Sequence, residues 1–279
     1  MREDLEDRGF AITVPQYTLF QAKKEGVSCT FYQSGKLVIQ GKGADELIEF
    51  YVEPEILKEA AFYGHHADAA PHIGADESGK GDLFGALCVV SLYADREGIS
   101  KLISLGVQDS KKVADKKAIE LGNKIMAEFS YHSVVIGPKK YNEIYAKIGN
   151  LNTLLAWAHA TAIRNMVEKS GCRQVILDQF ANERVMLNAF QGNMEGIELV
   201  QRTKAEEDIV VAGASIIARK LFLDSLVYLS KQAGITIPKG AGKDANEAVR
   251  QLVKLHGAAF LRDVAKCHFK NLDQILRGE

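Results

Sequence analysis

The pattern of apolar and polar positions divides this chain into two parts of unequal length. An irregular stretch punctuated by Gly64 and Pro71 has neither helical nor strand periodicity and is typical of a linker. We therefore predict an N-terminal domain over residues 1–64, a linker over 65–71 and a second domain over 72–279.

The first part has the pattern of a small α+β unit. Strand-like runs at 27–32 and 36–40 flank a Gln-Ser-Gly turn, which indicates a hairpin, and residues 44–53 have a helical pattern. About 60 residues is a marginal size for an independent hydrophobic core. We therefore expect an accessory domain that works together with something larger.

After the linker, strand-like and helical patterns alternate. Strands are predicted at 72–76, 84–93, 131–136, 175–177 and 197–201, and helices at 115–129, 150–170, 206–231 and 246–266. Several of the strand runs are almost continuously apolar, which is typical of strands that are buried on both faces. The pattern predicts an α/β domain with a mostly buried sheet.

Composition describes an ordinary globular protein and excludes few functions. Of 279 residues, 47% are hydrophobic and 25% are charged, and no apolar run approaches the roughly 18 residues that span a bilayer. The first seven residues are too polar and acidic for a secretory signal, and the four cysteines include no C-x-x-C pair. We expect a reduced, cytoplasmic protein without membrane association, disulfide framework or structural zinc site.

The charge of the chain neither favours nor excludes a nucleic acid as the binding partner. The formal net charge of −1 does not by itself indicate a nucleic-acid binder, since phosphate contacts favour a basic surface. Lysines are nevertheless grouped, with Lys23, Lys36 and Lys42 in the first part and Lys111 and Lys112 in the second. Most lysines of this kind lie on solvated helix faces, and a carboxylate-rich site would itself lower the total charge.

The segment 76–82, Asp-Glu-Ser-Gly-Lys-Gly-Asp, allows two chemical interpretations besides an acidic surface turn. With the preceding glycine it nearly matches a phosphate loop, but Gly81 stands where a hydroxyl would bind magnesium, and a strand-like run follows where a helix should begin. The alternative is that Asp76 and Glu77 bind metal ions. Adjacent side chains on a regular strand point to opposite faces, so this interpretation predicts a bulge or tight turn at the following glycines.

Asp178 is a further candidate because it follows a short apolar run, Val-Ile-Leu at 175–177. Functional residues of α/β sheets favour the ends of such strands. Simple capping of the strand is the alternative interpretation.

Glu206 also has two interpretations. It shares a predicted helical face with Ile209 and Ile217, where a buried carboxylate is costly unless it binds a metal or is hydrogen-bonded. The Thr-Lys-Ala-Glu sequence at 203–206 equally matches a capping box, in which the glutamate only satisfies a helix-start amide. Glu207 is a rival ligand that spacing does not exclude.

These motifs, in this order, resemble those of the type 2 ribonucleases H. Segment 76–82 resembles their D-E-x-G-x-G signature, and Asp-Ser-Lys at 109–111 resembles their D-S-K motif. Residues 204–219 resemble their K-A-[DE]…A-S-I-x-A-[KR] helix. The resemblance covers the chain from Ile73 to the C-terminus.

Within that family the chain resembles the ribonucleases HIII. Its N-terminal part is similar to the small domain, related to the TATA-binding-protein fold, that these enzymes carry. Segments that match their pattern are 20–23, 34–41, 81–85, 238–241 and 265–269. Two positions depart from it: many members have Thr where Lys80 stands and Pro where Ala86 stands. Lys80 is instead similar to the Arg of the ribonucleases HII.

The resemblance implies a ribonuclease H-like fold, with a mixed central sheet flanked by helices, joined to the small N-terminal α+β domain. It implies that Asp76, Glu77, Asp178 and Glu206 are both the catalytic residues and the metal ligands. Two Mg²⁺ ions are the expected cofactor, with Mn²⁺ as a substitute. The implied reaction is endonucleolytic hydrolysis of the RNA strand of RNA/DNA hybrids, leaving 3′-hydroxyl and 5′-phosphate ends.

The resemblance also implies which residues contact the hybrid. The loop backbone would sense the 2′-hydroxyl that separates RNA from DNA, and lysines in both parts would contact phosphates without reading sequence. The expected substrate-binding residues are Gly79, Lys80, Gly81, Lys111, Lys204, Lys23, Lys36 and Lys42.

We expect the protein to act as a monomer, and three alternative functions stay open. The first is cleavage at single ribonucleotides embedded in DNA, as in ribonuclease HII, which Lys80 keeps open. The second is a phosphate-loop NTPase. The third is a nucleic-acid-binding module without activity.

Overall fold

The computed structural model describes residues 1–57, 70–108, 110, 113–190 and 196–277. The chain forms two compact units, Met1–Ala67 and Asp68–Glu279. Most of the predicted linker over 65–71 lies outside the described residues.

The first unit is a four-stranded antiparallel sheet with short helices before and after it. Its elements are α1 (Arg2–Asp7), β1 (Ala11–Thr13), β2 (Thr18–Lys24), β3 (Val27–Tyr32), β4 (Leu37–Gln40) and α2 (Ala44–Leu47), which continues as a π-helical segment over Ile48–Leu57. The strands neighbour one another in chain order. Phe20, Ala22 and Cys29 form a buried cluster with Leu5 and Tyr51.

The predicted hairpin at 27–40 is confirmed as β3 and β4. The sequence did not reveal β1, which is only three residues long, or β2. On β2, Leu19 is about half exposed while its neighbour Phe20 is buried. Two adjacent apolar residues interrupt the alternation of apolar and polar residues by which a half-buried strand is recognised in a sequence.

The second unit alternates strands and helices. Its strands are β5 (His72–Ser78), β6 (Leu87–Ala94), β7 (Tyr131–Ile136), β8 (Gln174–Asp178) and β9 (Glu198–Arg202). Its helices are α3 (Arg96–Ser104), α4 (Asp115–Glu128), α5 (Pro138–Ile148), α6 (Leu151–Ser170), α7 (Glu183–Ala189), α8 (Ile209–Ala233), α9 (Lys243–His256), α10 (Leu261–Val264) and α11 (Lys270–Arg277).

The five strands form one mixed sheet in the order β7-β6-β5-β8-β9. β5, β6 and β7 pair antiparallel, whereas β8 and β9 run parallel to β5. The prediction of a mixed sheet flanked by helices is therefore confirmed. β5 is the central strand, and the site described below lies at its C-terminal end.

Helices cover both faces of this sheet. Alternate residues of β6 pack on opposite sides: Val90 and Leu92 contact the α8 side, whereas Leu87 and Val89 contact α6. On β5, Gly74 brings the strand against the backbone of α8, since a Cβ there would collide with main-chain atoms of that helix. This close approach sets the distance between the central strand and α8.

The C-terminal helix was predicted too long. The continuous helix expected over 246–266 is wrong, because α9 ends at His256 and the next residue, Gly257, has φ of 82° and ψ of 161°, outside the helical region. The chain turns there and resumes as α10 and α11. Among the described residues, no helix is both long and apolar enough to cross a membrane.

Candidate active site

The centre of the candidate site is the end of β5. β8 pairs with only Ile73–Ala75 of this strand, through Val175–Leu177, so the described pairing on that side stops just before Asp76. On the other side β6 continues in regular register to Ser78. The strand therefore presents two carboxylates at a place where one of its edges is open.

Asp76 and Glu77 reach the same cavity from opposite faces of the strand. The cavity has a volume of about 510 Å³ and both residues line it. Asp76 faces α8, where the Ser215 hydroxyl hydrogen-bonds to it, and Glu77 faces α6, where it contacts His159. β5 keeps regular register to Ser78, and of the bulge or tight turn predicted at the following glycines the structure has the turn, which begins at Gly79.

Asp76 is partly buried, and its environment disfavours a negative charge. Burial raises the pKa of its carboxyl to about 7, and the neighbouring charges of Glu77 and Asp178 act in the same direction. Two hydrogen bonds to the Asp76 carboxylate lower its pKa and so partly oppose this rise. One comes from Ser215, and the other comes from the Glu77 amide at 2.8 Å. A cation in the cavity would relieve the repulsion among these carboxylates.

Glu77 is partly buried too, but it has positive and hydrogen-bonding partners. Burial raises its pKa, yet the His159 ring at 3.0 Å and the Lys80 ammonium at 3.3 Å outweigh burial and leave the pKa below its ordinary value. Each oxygen of this carboxylate has a different partner, Oε2 the histidine and Oε1 the lysine.

Asp178 ends β8 and lines the same cavity. Its Oδ1 accepts a hydrogen bond of 3.0 Å from the Ala205 amide. That bond draws the turn that carries Glu206 toward the strand end. Lys204, just before the turn, has a left-handed backbone with φ of 58°, a conformation that costs a non-glycine residue free energy.

Glu206 lines the cavity, whereas Glu207 is exposed and does not. Both belong to a short 3₁₀ turn, Ala205–Glu207, and α8 starts only at Ile209. The prediction that the helix begins at Glu206, and with it the capping box from Thr203, is wrong. Asp208 caps the helix instead, accepting from the amides of Val210 and Val211.

The glycine loop follows β5 and closes one side of the cavity, which Gly79, Lys80 and Gly81 all line. A phosphate loop must be followed by a helix whose N-terminus faces the phosphate. Here the chain continues to the strand β6, so the phosphate-loop interpretation is wrong. The loop is anchored behind the cavity, where Asp82 accepts a hydrogen bond of 2.6 Å from the Gly240 amide.

A buried lysine completes this anchor. Lys266 is fully buried, and its ammonium donates to the carbonyls of Asp82 at 2.7 Å and Phe84 at 3.0 Å. Burial lowers its pKa to about 8. The matching segment at 265–269 noted in the sequence therefore has a structural role behind the loop.

Of the lysines expected to contact the substrate, one lines the cavity and the others lie elsewhere or outside the described residues. Lys80 lines the cavity, Lys204 is exposed and does not, and Lys111, with Asp109 of the same motif, lies outside the described residues. Lys23 and Lys42 line one surface groove of the first unit, which they share with Lys24. Lys36 precedes β4, at the other end of the β3–β4 hairpin.

Besides Ser78, which lies within segment 76–82 and lines the cavity, four residues with polar side chains that were not predicted as site residues line the cavity or contact its carboxylates. Ser110, Ser215 and Arg219 line the cavity. The hydroxyls of Ser110 and Ser215 lie 2.8 Å apart, and Arg219 donates to the Ser110 carbonyl. These three stand in the quoted D-S-K and A-S-I-x-A-R motifs, which was the available signal. The fourth, His159, belongs to no quoted motif.

The donor set fits a hard divalent cation. Four carboxylates line one cavity, and oxygen ligands of this kind suit Mg²⁺ or Mn²⁺ rather than a softer metal. Burial, and after it the neighbouring carboxylates of Glu77 and Asp178, raise the pKa of Asp76, and a bound cation would oppose both effects. Within the described part of the chain, no three acidic, histidine or cysteine side chains already surround a common point.

Family comparisons agree with this geometry. Residues 73–272 match the family model for Ribonuclease HII, and residues 1–62 match a model described as a domain of unknown function (DUF3378). The matched ranges correspond closely to the two units of the structure.

Individual relatives are similar along nearly the whole chain. Ribonuclease HIII of Protochlamydia amoebophila (strain UWE25) is 49% identical, covering 98% of this chain and 92% of that protein. Ribonuclease HIII of Chlamydia pneumoniae is 45% identical, covering 100% of this chain and 95% of that protein. The crystal structure of Bst-RNase HIII in complex with Mn²⁺ superimposes with a TM-score of 0.73 at 28% identity, covering 99% of this chain and 94% of that one. The chain belongs to the ribonuclease HIII family, within the wider group that the ribonuclease HII model describes.

Proposed function

We propose that this protein is an endonuclease that hydrolyses the RNA strand of RNA/DNA hybrids at the cavity at the end of β5. The observation that carries the proposal is the convergence of Asp76, Glu77, Asp178 and Glu206 on one cavity, beside the Gly79–Gly81 backbone. The similarity to ribonucleases HIII over nearly the whole chain supports the same activity.

The four carboxylates act as metal ligands in this proposal. Two divalent cations, Mg²⁺ or Mn²⁺, when bound, supply Lewis-acid activation of the attacking water and charge neutralisation at the leaving 3′ oxygen. The solved Mn²⁺ complex of Bst-RNase HIII supports a divalent cofactor. Water adds to the phosphorus and the bond to the 3′ oxygen breaks, so the products carry 3′-hydroxyl and 5′-phosphate ends.

The protein's own residues orient this chemistry. Ser215 and the Glu77 amide hold the Asp76 carboxylate, and the Ala205 amide holds that of Asp178. A hydrogen-bonded carboxylate loses less conformational freedom when it takes up an ion, because its rotamer is already selected.

We propose that the glycine loop recognises the RNA strand. Gly81 lines the cavity, and the space beside its α-carbon is open, so a sugar edge can approach the main chain closely. The group to be recognised is the 2′-hydroxyl, which both donates and accepts hydrogen bonds. Lys80 and Lys204 are proposed phosphate contacts beside the scissile strand.

Lys23, Lys36 and Lys42 are the proposed duplex contacts of the first unit. All three are exposed, so their charges are available to phosphates. We further propose that the protein acts as a monomer in the cytoplasm. All four cysteines are free thiols, which fits a reducing compartment.

A substrate panel tests the proposed activity. The protein is incubated with Mg²⁺ and end-labelled RNA/DNA hybrid, duplex RNA, duplex DNA, and duplex DNA with one embedded ribonucleotide. We expect cleavage of the hybrid's RNA strand, abolished by EDTA, with 3′-hydroxyl and 5′-phosphate ends. Cleavage of duplex DNA at a similar rate, or an intact hybrid, would contradict the proposal. Cleavage of the single-ribonucleotide substrate alone would favour a ribonuclease HII-like specificity.

A further inference from the structure

His159 is a polar side chain in an otherwise apolar part of α6. It is fully buried, and four alanines of the same helix, Ala156, Ala158, Ala160 and Ala162, are buried with it. Burying an imidazole costs free energy unless its ring nitrogens find partners. The hydrogen-bond partner that compensates for this burial therefore indicates what the histidine does.

The ring makes one hydrogen bond among the described residues, and its partner is a proposed metal ligand. Nε2 lies 3.0 Å from Oε2 of Glu77, while Nδ1 has no partner within the described part of the chain. An ionised carboxylate only accepts hydrogen bonds, so Nε2 must carry the proton in this contact. The pairing therefore directs a ring donor at Glu77.

An aromatic contact fixes the plane of the ring. Phe180 stacks on His159 with centroids 5.1 Å apart and an angle of 18° between the rings. Phe180 follows Asp178 by two residues, so the stack joins α6 to the end of β8. The Lys80 ammonium also lies over the Phe180 ring, 5.6 Å from its centroid.

We propose that His159 is a positioning residue that holds the Glu77 carboxylate in its metal-binding orientation. Oε2 is tied to α6, so the carboxylate cannot rotate freely, and Oε1 is left on the side of Lys80 and the cavity. Hydrogen-bonded partners behind a ligand typically raise metal affinity in this way. The inference rests on the proposed role of Glu77 as a ligand.

The test compares two substitutions in the full-length protein. His159→Leu removes the donor at similar volume, and His159→Gln keeps an amide N–H at about the position of Nε2. Mn²⁺ binding without nucleic acid is measured by isothermal titration calorimetry, with thermal unfolding of each metal-free variant beside it. We expect His159→Leu to weaken Mn²⁺ binding about 10–100-fold and His159→Gln to restore most of the affinity.

A matched control is His256→Leu, because His256 bonds the Ala233 carbonyl and does not line the cavity. It should leave Mn²⁺ affinity unchanged. Wild-type affinity in His159→Leu would overturn the proposal, as would an equal loss in a well-folded His159→Gln. If His159→Leu fails to fold, ¹⁵N NMR of the wild-type ring decides: a proton on Nδ1 alone would overturn the proposal, and a proton on Nε2, with or without one on Nδ1, supports it.

Glu77→Gln separates this inference from the proposed function. If Glu77→Gln binds Mn²⁺ as tightly as the wild type, the metal site itself is misassigned. If Glu77→Gln loses affinity while His159→Leu keeps it, only the positioning role is wrong.

Discussion

Gly79 and Gly81 occupy the same loop but are constrained in different ways. Gly79 has φ of 87°, and a Cβ there would collide with the Ala86 carbonyl oxygen. Nothing lies within 4 Å of a Cβ built on Gly81, whose φ is not positive. Gly79 is therefore required by the fold, whereas the absence of a side chain at Gly81 leaves space for a ligand.

Alanine substitutions separate these two roles. Gly79→Ala should lower the free energy of unfolding by roughly 1–3 kcal/mol because of backbone strain and the clash. Gly81→Ala should keep the melting temperature of the wild type and raise KM for the hybrid. Thermal unfolding and steady-state cleavage kinetics measure both effects. Equal loss of stability in the two variants would contradict the distinction.

The neighbouring glutamates of the 3₁₀ turn provide a second pair of variants. Glu206→Gln should reduce kcat for hybrid cleavage on the order of 10²–10³-fold, because it removes a charge from the cavity. Glu207→Gln should cleave like the wild type, since Glu207 is exposed and does not line the cavity. Single-turnover rates at saturating enzyme check this. A larger loss in Glu207→Gln would identify it as the ligand instead.

At the scale of residues, the sequence predicted which carboxylates converge but not how they do so. Spacing alone could not choose between Glu206 and Glu207, because the choice depends on the Ala205–Glu207 turn and its bond to Asp178. His159 was not predicted either. A histidine among alanines has the pattern of a core residue, and only the fold shows that it faces Glu77.

At the scale of elements, α8 is the helix that positions several residues of the site. It carries Ser215 and Arg219 to the cavity, and its N-terminus is fixed by Asp208. Asp208 is buried, caps the helix through two amides and pairs with His72 at 3.1 Å. Because His72 begins β5, this pair joins the start of the helix to the start of the central strand.

The substitution Asp208→Asn tests the Asp208–His72 pair through the pH dependence of the free energy of unfolding. Burial raises the pKa of Asp208, but His72 and the helix amides outweigh it and leave the pKa below its ordinary value of 3.8. A lowered pKa means that the stabilisation is present above pH 3.8 and is lost as pH falls through the folded-state pKa. The asparagine keeps the cap but not the charge.

Urea unfolding at pH 5 and pH 3 measures this effect. The wild type should be more stable than Asp208→Asn by about 1–3 kcal/mol at pH 5, and the difference should shrink at pH 3. A difference of the same size at both pH values would show that the Asp208 charge does not contribute.

Elements with a strong pattern were predictable, and those set by tertiary contacts were not. β7 was predicted at 131–136, the residues that the structure assigns to it, and its apolar residues 134–136 are followed directly by Gly137 and Pro138. The start of α8 was misplaced by three residues: the 3₁₀ turn Ala205–Glu207, whose Ala205 amide donates to the distant Asp178, comes first, and Asp208 caps the helix. The break at Gly257 was missed although glycine is a common helix terminator.

At the scale of the whole molecule, the two units divide the proposed work. The carboxylate cavity belongs to the second unit, and the groove lined by Lys23, Lys24 and Lys42 belongs to the first. Phosphate contacts from such lysines contribute affinity rather than chemistry.

The variant Lys23→Ala/Lys42→Ala tests this division. KM for the hybrid should rise and kcat should stay the same, because saturating substrate compensates for lost affinity. The slope of log affinity against log salt should fall by about 1 for each lost phosphate contact. Lys254→Ala, an exposed lysine on α9, is the control. A fall in kcat with KM unchanged would contradict the division.

The central claim is that the cavity at the end of β5 holds the metal ions that cut the RNA strand. Its most direct test is the single-turnover rate of RNA/DNA hybrid cleavage by the wild type and Asp76→Asn, measured across a Mn²⁺ titration. The wild-type rate should rise to saturation, while Asp76→Asn should stay on the order of 10²–10³-fold slower at every concentration. Equal rates for the two proteins would contradict the claim.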